Sequence, residues 1–525
     1  MSRRKTILLS LLLSLPVTLF VAQHYLIHSP RLQPTGFTNE ENVLYMSYAH
    51  QYLDQDHFSL TYSNPFDGDP HSPKIYFQPA TLVLAGLMKL GMDPGFCFSL
   101  FGLIMTVLCI YVGIKILKHL LPDHKQMSLI ATLFTWGGGL TALAGLMSST
   151  FLAGHHVEPW IDGIYSADPA RGWWGLNWGR TLFIPLEAYY HFLFLLNIYL
   201  VLKQKWIAAA VVALFLSISH PFTGIEYLVI INGWFVLEKL VCKNKNIPYW
   251  FGIAMLGIAV LHAWYYLVYL NSFPEHKLLF SQYSEGWTYS MLIAVPAYCL
   301  VGALACLNMY INRPIKKFLS IPHQRLFLCW AIISFLLSKH EWFIKPMQPI
   351  HFTRGYVWAG LFLFALPALL WLINYLQAKK MKWLLYVSIF IFLSDNILWT
   401  GNLLRGKNDI EWEGHITKDT KEVLDYLGSN TSDKDLLVGN ATLINYLANI
   451  YSPVNVWTSH PYNTPNRDQR IWQTDQFLAT GIRSPEWKDR HVIVVLDNKK
   501  TPLLKDPAWL ARIVFANPSY SVIIP

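Results

Sequence analysis

Charged residues are scarce in this sequence. Only 14% of its 525 residues are Asp, Glu, Lys or Arg, whereas 53% are hydrophobic. The hydrophobic residues occur in uninterrupted blocks, and many of these have the roughly 20 residues that an α-helix needs to cross a bilayer. A soluble multidomain protein is therefore excluded, and the sequence predicts a polytopic α-helical membrane protein.

Cysteine patterns and nucleotide motifs are also missing. The six cysteines show neither a disulfide framework nor a CxxC metal-ligand spacing. No GxGxxG pattern, P-loop, repeat or low-complexity tract is present, so a nucleotide cofactor is not supported. The formal net charge is +9, but the basic residues stand in short clusters between apolar blocks. This distribution is typical of membrane topology and excludes a nucleic-acid-binding surface.

Eleven apolar segments are predicted to span the membrane. A basic start at residues 2–5 (SRRK) and lysine clusters in alternate loops place the N-terminus in the cytoplasm and the C-terminus outside. One alternative takes the first segment as a signal peptide. Another takes 206–240 as a single re-entrant element, which would put the C-terminus in the cytoplasm. The segments are 6–27, 98–119, 127–148, 182–202, 206–219, 222–240, 249–271, 288–311, 324–339, 357–377 and 383–400.

The composition divides the chain into two predicted domains. Residues 1–401 form the transmembrane domain, with large outside loops at 29–97 and 149–181, and residues 402–525 form a small extracytoplasmic α/β domain. Alternating short apolar runs and helical patterns indicate that second domain. Its predicted strands are 435–439, 454–458, 491–497, 512–516 and 520–524, and its predicted helices are 441–450 and 466–480.

The first outside loop contains a cluster of carboxylates and tyrosines. At helical spacing, Glu41, Tyr45, Tyr48 and Tyr52 share one face, which predicts an amphipathic helix along the membrane surface. A second interfacial helix is predicted within 78–94. Glu41, or its neighbour Glu40, is a candidate general base for an attacking hydroxyl. The alternative is structural, because glutamate in the first turn of a helix favours the macrodipole.

Two further sets of polar residues are predicted on the same side. Asp67, Asp69 and His71 are candidates for binding substrate or a divalent cation, although Asp-Gly-Asp-Pro is also ordinary turn chemistry. In the second loop, Arg180 is either an anion clamp or a snorkelling interfacial residue. The same loop contains a His-His-x-Glu pattern that would suit substrate or zinc, except that adjacent side chains on an extended segment point in opposite directions. That pattern is His155, His156 and Glu158.

A last set combines His220, His351 and Arg354. Arg354 lies at the predicted outer mouth of a span, where the positive-inside rule disfavours it, so a role in holding a phosphate by bidentate hydrogen bonds gains weight. Alternatively, Glu341 pairs with Arg354.

The layout of these features resembles the C-type glycosyltransferase superfamily. The chain shares its N-in first span, acidic first outside loop with two interfacial helices, about eleven spans and C-terminal outside domain. The family's first loop typically reads Asp-Glu or Asp-Asp before a Tyr-rich helix, and Glu40-Glu41-Asn42-Val43-Leu44-Tyr45 stands at the matching place. The stretches HPFTG and 441–481 are also similar to uncharacterised bacterial multi-span proteins of this architecture. Glutamate in place of the usual aspartate is the main departure.

The resemblance implies a multi-pass protein of the cell (inner) membrane, part of the cell envelope. Its activity would be an inverting transfer of a sugar from a polyprenyl-phosphate donor to a lipid or glycan acceptor on the extracytoplasmic face. Glu41 or Glu40 would be the base, and Arg354 or Arg180 would offset charge on the departing lipid phosphate. No cofactor is implied, although a divalent cation is an open alternative. The rival classes are a multi-span transporter and a non-catalytic scaffold or sensor.

Overall fold

A computed structural model describes residues 1–39, 41–53, 59–147, 175–282, 286–313, 320–406, 409–500 and 510–525. The described chain is mostly helical and separates into two compact units, each assembled from distant segments. The first unit, here the bundle unit, contains 1–20, 102–264 and 285–406. The second, here the outer-loop unit, contains 21–101, 265–284 and 407–525. The domain boundaries 1–401 and 402–525 remain a prediction.

Six helices in the described part of the chain are long and apolar enough to cross a membrane, or seven if a bent pair counts as one span. Their sequences favour this because runs of Leu, Ile, Val and Phe contain few charges over a full bilayer thickness. They are Pro94–Leu120, Pro185–Leu202, Tyr249–Ser272, Met291–Ile311, Pro349–Ala378 and Lys382–Arg405, and the bent pair is Arg3–Leu13 with Leu15–Leu26.

The remaining predicted spans are shorter helices. Segment 127–148 contains the helices Met127–Trp136 and Thr141–Met147, separated by glycines at 137–139. The other short helices are Trp206–Ser219, Pro221–Val236 and Pro322–Ser338. The count of eleven spans therefore stays a prediction.

His220 alone separates the two helices of segment 206–240. Its backbone is extended, and its ring nitrogen Nδ1 accepts a hydrogen bond from the Thr223 amide at 3.1 Å. Pro221 occupies the first turn of the second helix, where the missing amide hydrogen costs nothing. The polar sequence SISHPFTG thus encodes a helix break with its own cap.

The helix Tyr356–Ala378 lies in the core of the bundle unit, because most of its circumference is buried. A helix that is apolar on all sides is expected to be surrounded by other helices. It contacts Met291–Ile311 and Pro322–Ser338 most extensively. Large buried rings, including Trp178, Trp330 and Trp358, fill the spaces between helices.

The outer-loop unit contains the β-strands of the structure. They are β1 Leu32–Pro34, β2 His415–Thr417, β3 Asp435–Gly439, β4 Asn455–Val456, β5 His491–Asp497, β6 Ile513–Ala516 and β7 Tyr520–Ile523. Strands β3 to β7 form a five-stranded sheet with the order β4-β3-β5-β7-β6. β3 pairs in parallel with β4 and β5, whereas β7 is antiparallel to β5 and β6. A separate antiparallel pair joins β1 to β2.

The unit also contains helices, and three of those that follow residue 417 contact strands of this sheet. Two come from the first outside loop, at the places where interfacial helices are predicted. The first of them ends at His50, so Tyr52 follows it in a turn and does not continue the helical face. The helices are Glu41–His50, Pro79–Lys89, Pro274–Gln282, Lys418–Asn430, Thr442–Tyr451 and Arg467–Thr480.

Candidate functional site

The N-terminal end of the helix Glu41–His50 is held by two asparagine side chains. Asn42 Oδ1 accepts hydrogen bonds from the backbone amides of Thr38 at 2.9 Å and Asn39 at 3.0 Å. Asn39 Oδ1 accepts one from the Glu41 amide at 2.9 Å. The Glu41 amide is one of the backbone donors that a helix start leaves unpaired, and the two bonds to Asn42 Oδ1 tie the preceding backbone to the first turn. The backbone that carries Glu41 is therefore fixed, while its carboxylate side chain is exposed.

The opposite face of this helix is packed. Val43, Met46 and Ala49 are completely buried, and Asn42 is 1% exposed. A helix anchored by its underside and capped at its start positions an exposed first-turn side chain more precisely than a loop would. Glu40, the other candidate base, lies outside the described residues.

Five tyrosines, two of them on this helix, form what we call the tyrosine cluster. Tyr48 contacts Tyr62 with ring centroids 4.9 Å apart, and Tyr62 contacts Tyr52 at 5.6 Å and Tyr76 at 5.7 Å. Tyr45 adjoins Tyr48 at 6.1 Å. Tyr62 and Tyr76 are also joined by an isolated antiparallel bridge.

Burial raises the pKa of phenol groups in the tyrosine cluster, and those phenols stay protonated at neutral pH. Burial raises the pKa of Tyr62 well above its ordinary value and the pKa of Tyr52 to about 12. Burial is also the main cause of the raised pKa of Tyr48, with smaller contributions from neighbouring tyrosines and from the charge of Glu41. Neutral phenols donate hydrogen bonds, and their ring faces suit the apolar faces of sugar rings.

The predicted set Asp67, Asp69 and His71 lies in the same unit, but its members have different surroundings. The Asp67 carboxylate is buried, which raises its pKa, while hydrogen bonds from Ser72 at 2.8 Å and an ion pair with Arg470 at 3.5 Å act in the opposite direction. Asp69 and His71 are exposed, and the His71 amide donates to Asp69 Oδ1 at 2.9 Å.

Contacts around Asp67 attach residues 64–72 to the sheet region, and we call this segment the strap. Arg470 donates to the Asp67 carbonyl at 2.6 Å and lies 4.0 Å from the Trp457 ring centroid. Gly68 has φ +69°, and a Cβ there would come within 2.9 Å of the Val456 carbonyl oxygen. The glycine is needed both for its left-handed backbone and for this close approach. The observed contacts of Asp67 are thus structural, and its role in substrate binding stays a prediction.

In the bundle unit, Arg180 is completely enclosed by partners from the same chain. It forms an ion pair with Asp395 at 3.0 Å, and both side chains are 0% exposed. Its Nε donates to Asn396 at 3.1 Å. Asp395 in turn accepts from Asn177 at 3.1 Å and from the Ala142 amide at 2.6 Å. A buried pair with this many hydrogen bonds fixes the surrounding helices.

Arg354 has a different environment. It pairs with Glu187 and contacts His351 Nδ1, and its own backbone is left-handed with φ +28°. This conformation is strained for a residue with a side chain. The adjacent Gly355 has φ +75° and donates to the Gly175 carbonyl at 2.6 Å.

Gly355 also lies against Trp178, where a Cβ would come within 2.6 Å of the backbone nitrogen. Two loops, 175–181 and 348–355, thus meet through a backbone hydrogen bond and a close contact that only glycine permits. The strain at Arg354 is maintained by this arrangement, and backbone strain of this kind concentrates at functional positions.

The histidines of the predicted set lie near Arg354. His351 stacks on Phe222 at 4.6 Å, and its ring is 6.4 Å from that of His220. The structure therefore brings His220, His351 and Arg354 together, as the sequence suggested. The predicted alternative of a Glu341–Arg354 pair is wrong, because Glu341 pairs with Lys339 at 3.2 Å and Arg354 with Glu187.

Several polar residues at these positions were missed by sequence reasoning. Glu187, His191, Glu226 and Asp395 all lie inside predicted spans, and all are buried. His191 contacts Thr181 at 2.7 Å through one ring nitrogen and the Tyr356 hydroxyl at 3.0 Å through the other. The available signal was a titratable residue within an apolar helix, which usually marks a buried polar site.

His155, His156 and Glu158 lie outside the described residues. Within the part of the chain that the structure describes, no group of three or more His, Cys, Asp or Glu side chains is arranged to hold a metal ion.

No protein-family model matches the sequence, and no curated protein sequence matches it. Among solved structures, the chain is similar to the apo oligosaccharyltransferase of Archaeoglobus fulgidus, with 12% identity and a TM-score of 0.46 over 94% of this chain and 69% of that one. It is also similar to apo ArnT from Cupriavidus metallidurans, with 13% identity and a TM-score of 0.48 over 98% and 97% of the two chains. The same ArnT bound to undecaprenyl phosphate gives 12% identity and a TM-score of 0.45 over 99% and 98%.

Both proteins are glycosyltransferases of the C-type superfamily, the family that the sequence resembles. TM-scores below 0.5 with identities of 12–13% establish no residue correspondence. The roles discussed below therefore come from this chain's own residues.

Proposed function

We propose that this protein is a membrane glycosyltransferase that moves a sugar from a polyprenyl-phosphate donor to a lipid or glycan acceptor at the extracytoplasmic face. The observation that carries the proposal is Glu41, an exposed carboxylate on a doubly capped and firmly packed helix start. It stands at the place in the sequence where the superfamily has its acidic pair. An adjoining tyrosine cluster supplies rings and neutral phenols suited to sugars.

The chemistry proposed for Glu41 is general-base catalysis. The carboxylate takes the proton of an acceptor hydroxyl as that oxygen attacks the anomeric carbon of the donor sugar. The bond from that carbon to the phosphate oxygen breaks, the polyprenyl phosphate leaves, and the anomeric configuration inverts. Glutamate in place of aspartate moves the carboxylate one methylene further from the backbone.

Of the two arginines predicted to offset the charge of the lipid phosphate, the local geometry favours Arg354. Arg180 pairs with Asp395, donates to Asn396 and is fully enclosed, so its contacts suit helix packing. Arg354 combines a strained backbone with neighbouring His351, and guanidinium groups bind phosphates in bidentate fashion.

The two arginines can be separated kinetically. We expect Arg354→Lys to raise KM for the lipid donor by at least about tenfold, because an ammonium cannot form the bidentate contact. Arg180→Lys is expected to lower thermal stability while leaving KM of the remaining folded protein near the wild-type value. Equal effects of both variants on KM would contradict the assignment.

The experiment that tests the function itself uses the purified chain in vesicles with a panel of polyprenyl-phosphate sugars. Transfer of one labelled sugar to an endogenous lipid or glycan extract, with inversion at the anomeric carbon, is the expected result. Protein-free vesicles serve as the control. Absence of transfer from every donor, with correctly folded protein, would count against the proposal.

A transporter remains the second candidate, and one observation favours it. Glu226 lies fully buried within predicted span 222–240, whereas the sequence had suggested that polar residues gather at one face. Ionisable residues at membrane depth are characteristic of transport pathways. Uptake or release of a labelled sugar or ion by the same vesicles, without covalent transfer, would support this class.

A further inference from the structure

Glu187 is a buried acidic residue to which the proposed mechanism gives no role. It stands in the first turn of the helix Pro185–Leu202 and forms an ion pair with Arg354, and both side chains are buried. The pair is made through Oε1. The other carboxylate oxygen, Oε2, is buried and has no hydrogen-bond partner within the part of the chain that the structure describes. Buried polar atoms are almost always satisfied, so this carboxylate is held less completely than its burial would lead one to expect.

The guanidinium of Arg354 already has two partners from its own chain. Glu187 contacts its Nη1, and His351 Nδ1 contacts its Nη2. A phosphate that binds an arginine in bidentate fashion uses two parallel N–H groups of the same guanidinium. The carboxylate of Glu187 and a phosphate are therefore two anions that seek the same cation at the same place. Full contact with one of them weakens contact with the other, because like charges that approach each other repel.

The loop that carries Arg354 gives a reason for a competing carboxylate. Arg354 has φ +28°, and the Gly355 amide donates to the Gly175 carbonyl at 2.6 Å, so the backbone holds this arginine at one position. A buried arginine without a negative partner is strongly unfavourable. A nearby carboxylate compensates that charge whenever no phosphate is bound. Since its second oxygen has no hydrogen bond to break, Glu187 can yield the guanidinium at a smaller cost than a fully bonded carboxylate.

We propose that Glu187 is a positioning residue that holds the guanidinium of Arg354 and competes with the lipid phosphate for it. The inference rests on the proposed function, in which Arg354 binds that phosphate. Glu187 keeps Arg354 compensated between turnovers, and its charge weakens the hold on the departing polyprenyl phosphate, which favours release of this product. If the pair served packing alone, loss of the carboxylate would weaken phosphate binding or leave it unchanged. Competition gives the opposite sign.

The test is the affinity of the purified full-length protein in detergent for undecaprenyl phosphate, titrated by native mass spectrometry without donor sugar or acceptor. Glu187→Gln should bind this lipid at least about tenfold more tightly than wild type, because the neutral amide neither pairs fully with Arg354 nor repels the phosphate. Glu187→Asp keeps the charge but reaches less far, so its affinity should lie between the two, and it serves as the variant less prone to misfold. Undecaprenol, which lacks the phosphate, should bind all three proteins equally.

The matched control is Glu238→Gln, the same substitution in another buried arginine pair of the bundle unit, where Arg325 donates to Glu238 Oε2 at 2.8 Å. It should lower Tm without changing the affinity for undecaprenyl phosphate. The double variant Glu187→Gln/Arg354→Met should bind the lipid more weakly than wild type.

The outcomes separate this inference from the proposed transfer reaction. Unchanged or weaker binding by Glu187→Gln, or a gain that persists in the double variant, would overturn the role of Glu187 and leave the transfer proposal standing. The expected order of affinities in a protein that transfers no sugar would support the role of Glu187 and count against the transfer. Failure of both wild type and Glu187→Gln to bind undecaprenyl phosphate would overturn both.

Discussion

Acidification is expected to weaken the attachment of the strap through His460. Burial lowers the pKa of His460 to about 4, and the charge of Arg467 acts in the same direction. Its ring nitrogen Nδ1 accepts hydrogen bonds from the backbone amides of Tyr462 and Asn463, both at 3.1 Å, and from the Asn463 side chain at 3.1 Å. A protonated imidazole has no lone pair to accept them.

The direction and size of the stability change follow from the linkage between protonation of His460 and folding. The pKa of His460 is lower in the folded protein than its ordinary value of 6.5. Its contribution to stability is therefore complete above pH 6.5 and is lost as the pH falls toward 4. Each pH unit in that window removes up to 1.36 kcal/mol, so lowering the pH to 5 should cost about 2 kcal/mol.

The consequence should reach the strap, because the Phe66 ring lies 5.1 Å from the His460 ring and Asn64 donates to the Asn463 carbonyl at 2.9 Å. The assay is thermal unfolding of the full chain at pH 7 and pH 5, with proteolysis of the strap as a local readout. His460→Asn is the matched variant, since its amide oxygen accepts hydrogen bonds from the same amides and does not titrate.

Other titrating histidines contribute equally to both proteins, so only the difference between them reports on His460. Wild type should lose about 2 kcal/mol more than His460→Asn between the two pH values. The same pH dependence in both proteins would refute the reasoning.

Two further pairs of variants test the packing of the bundle unit. Gly355→Ala should lower Tm markedly, because the added methyl meets Trp178 and φ is +75°, whereas Gly401→Ala, with no atom within 4 Å of its Cβ, should be neutral or slightly stabilising. Arg325 and Glu238 form a buried ion pair, so Arg325→Met should cost about 3–5 kcal/mol by leaving the Glu238 carboxylate without its cation, and Glu238→Leu in the same protein should recover most of that loss. These expectations would be contradicted if the Arg325→Met/Glu238→Leu double variant were no more stable than Arg325→Met alone, or if the two glycine variants had equal Tm values.

Much of the secondary structure follows from local pattern. The strands β3 and β5 have the predicted bounds, because runs such as HVIVVLD are rich in β-branched residues and end at turn residues. The long apolar blocks form helices because a helix satisfies the backbone hydrogen bonds within a single segment, as a bilayer requires. The break at His220 was also visible, since His-Pro after an apolar run favours the end of one helix and the start of another.

The partners of the polar residues could not be predicted in the same way. Arg180 pairs with Asp395 and Arg354 with Glu187, and each pair joins residues separated by well over a hundred positions. Local spacing carries no information about such contacts, and the nearest acidic residue, Glu341, proved to be the wrong partner. The contact of Arg470 with Asp67 in the strap also joins residues that are far apart in the sequence, so local spacing could not predict it either.

The role of Glu41 is tested most directly by the rate of sugar transfer with Glu41→Gln, compared with wild type and with Glu275→Gln. Glu275 is the matched control, an exposed glutamate in the first turn of another helix of the same unit. The account predicts a fall of at least about 10²-fold for Glu41→Gln, the usual contribution of a general base, and an unchanged rate for Glu275→Gln. Equal rates for all three proteins would contradict it.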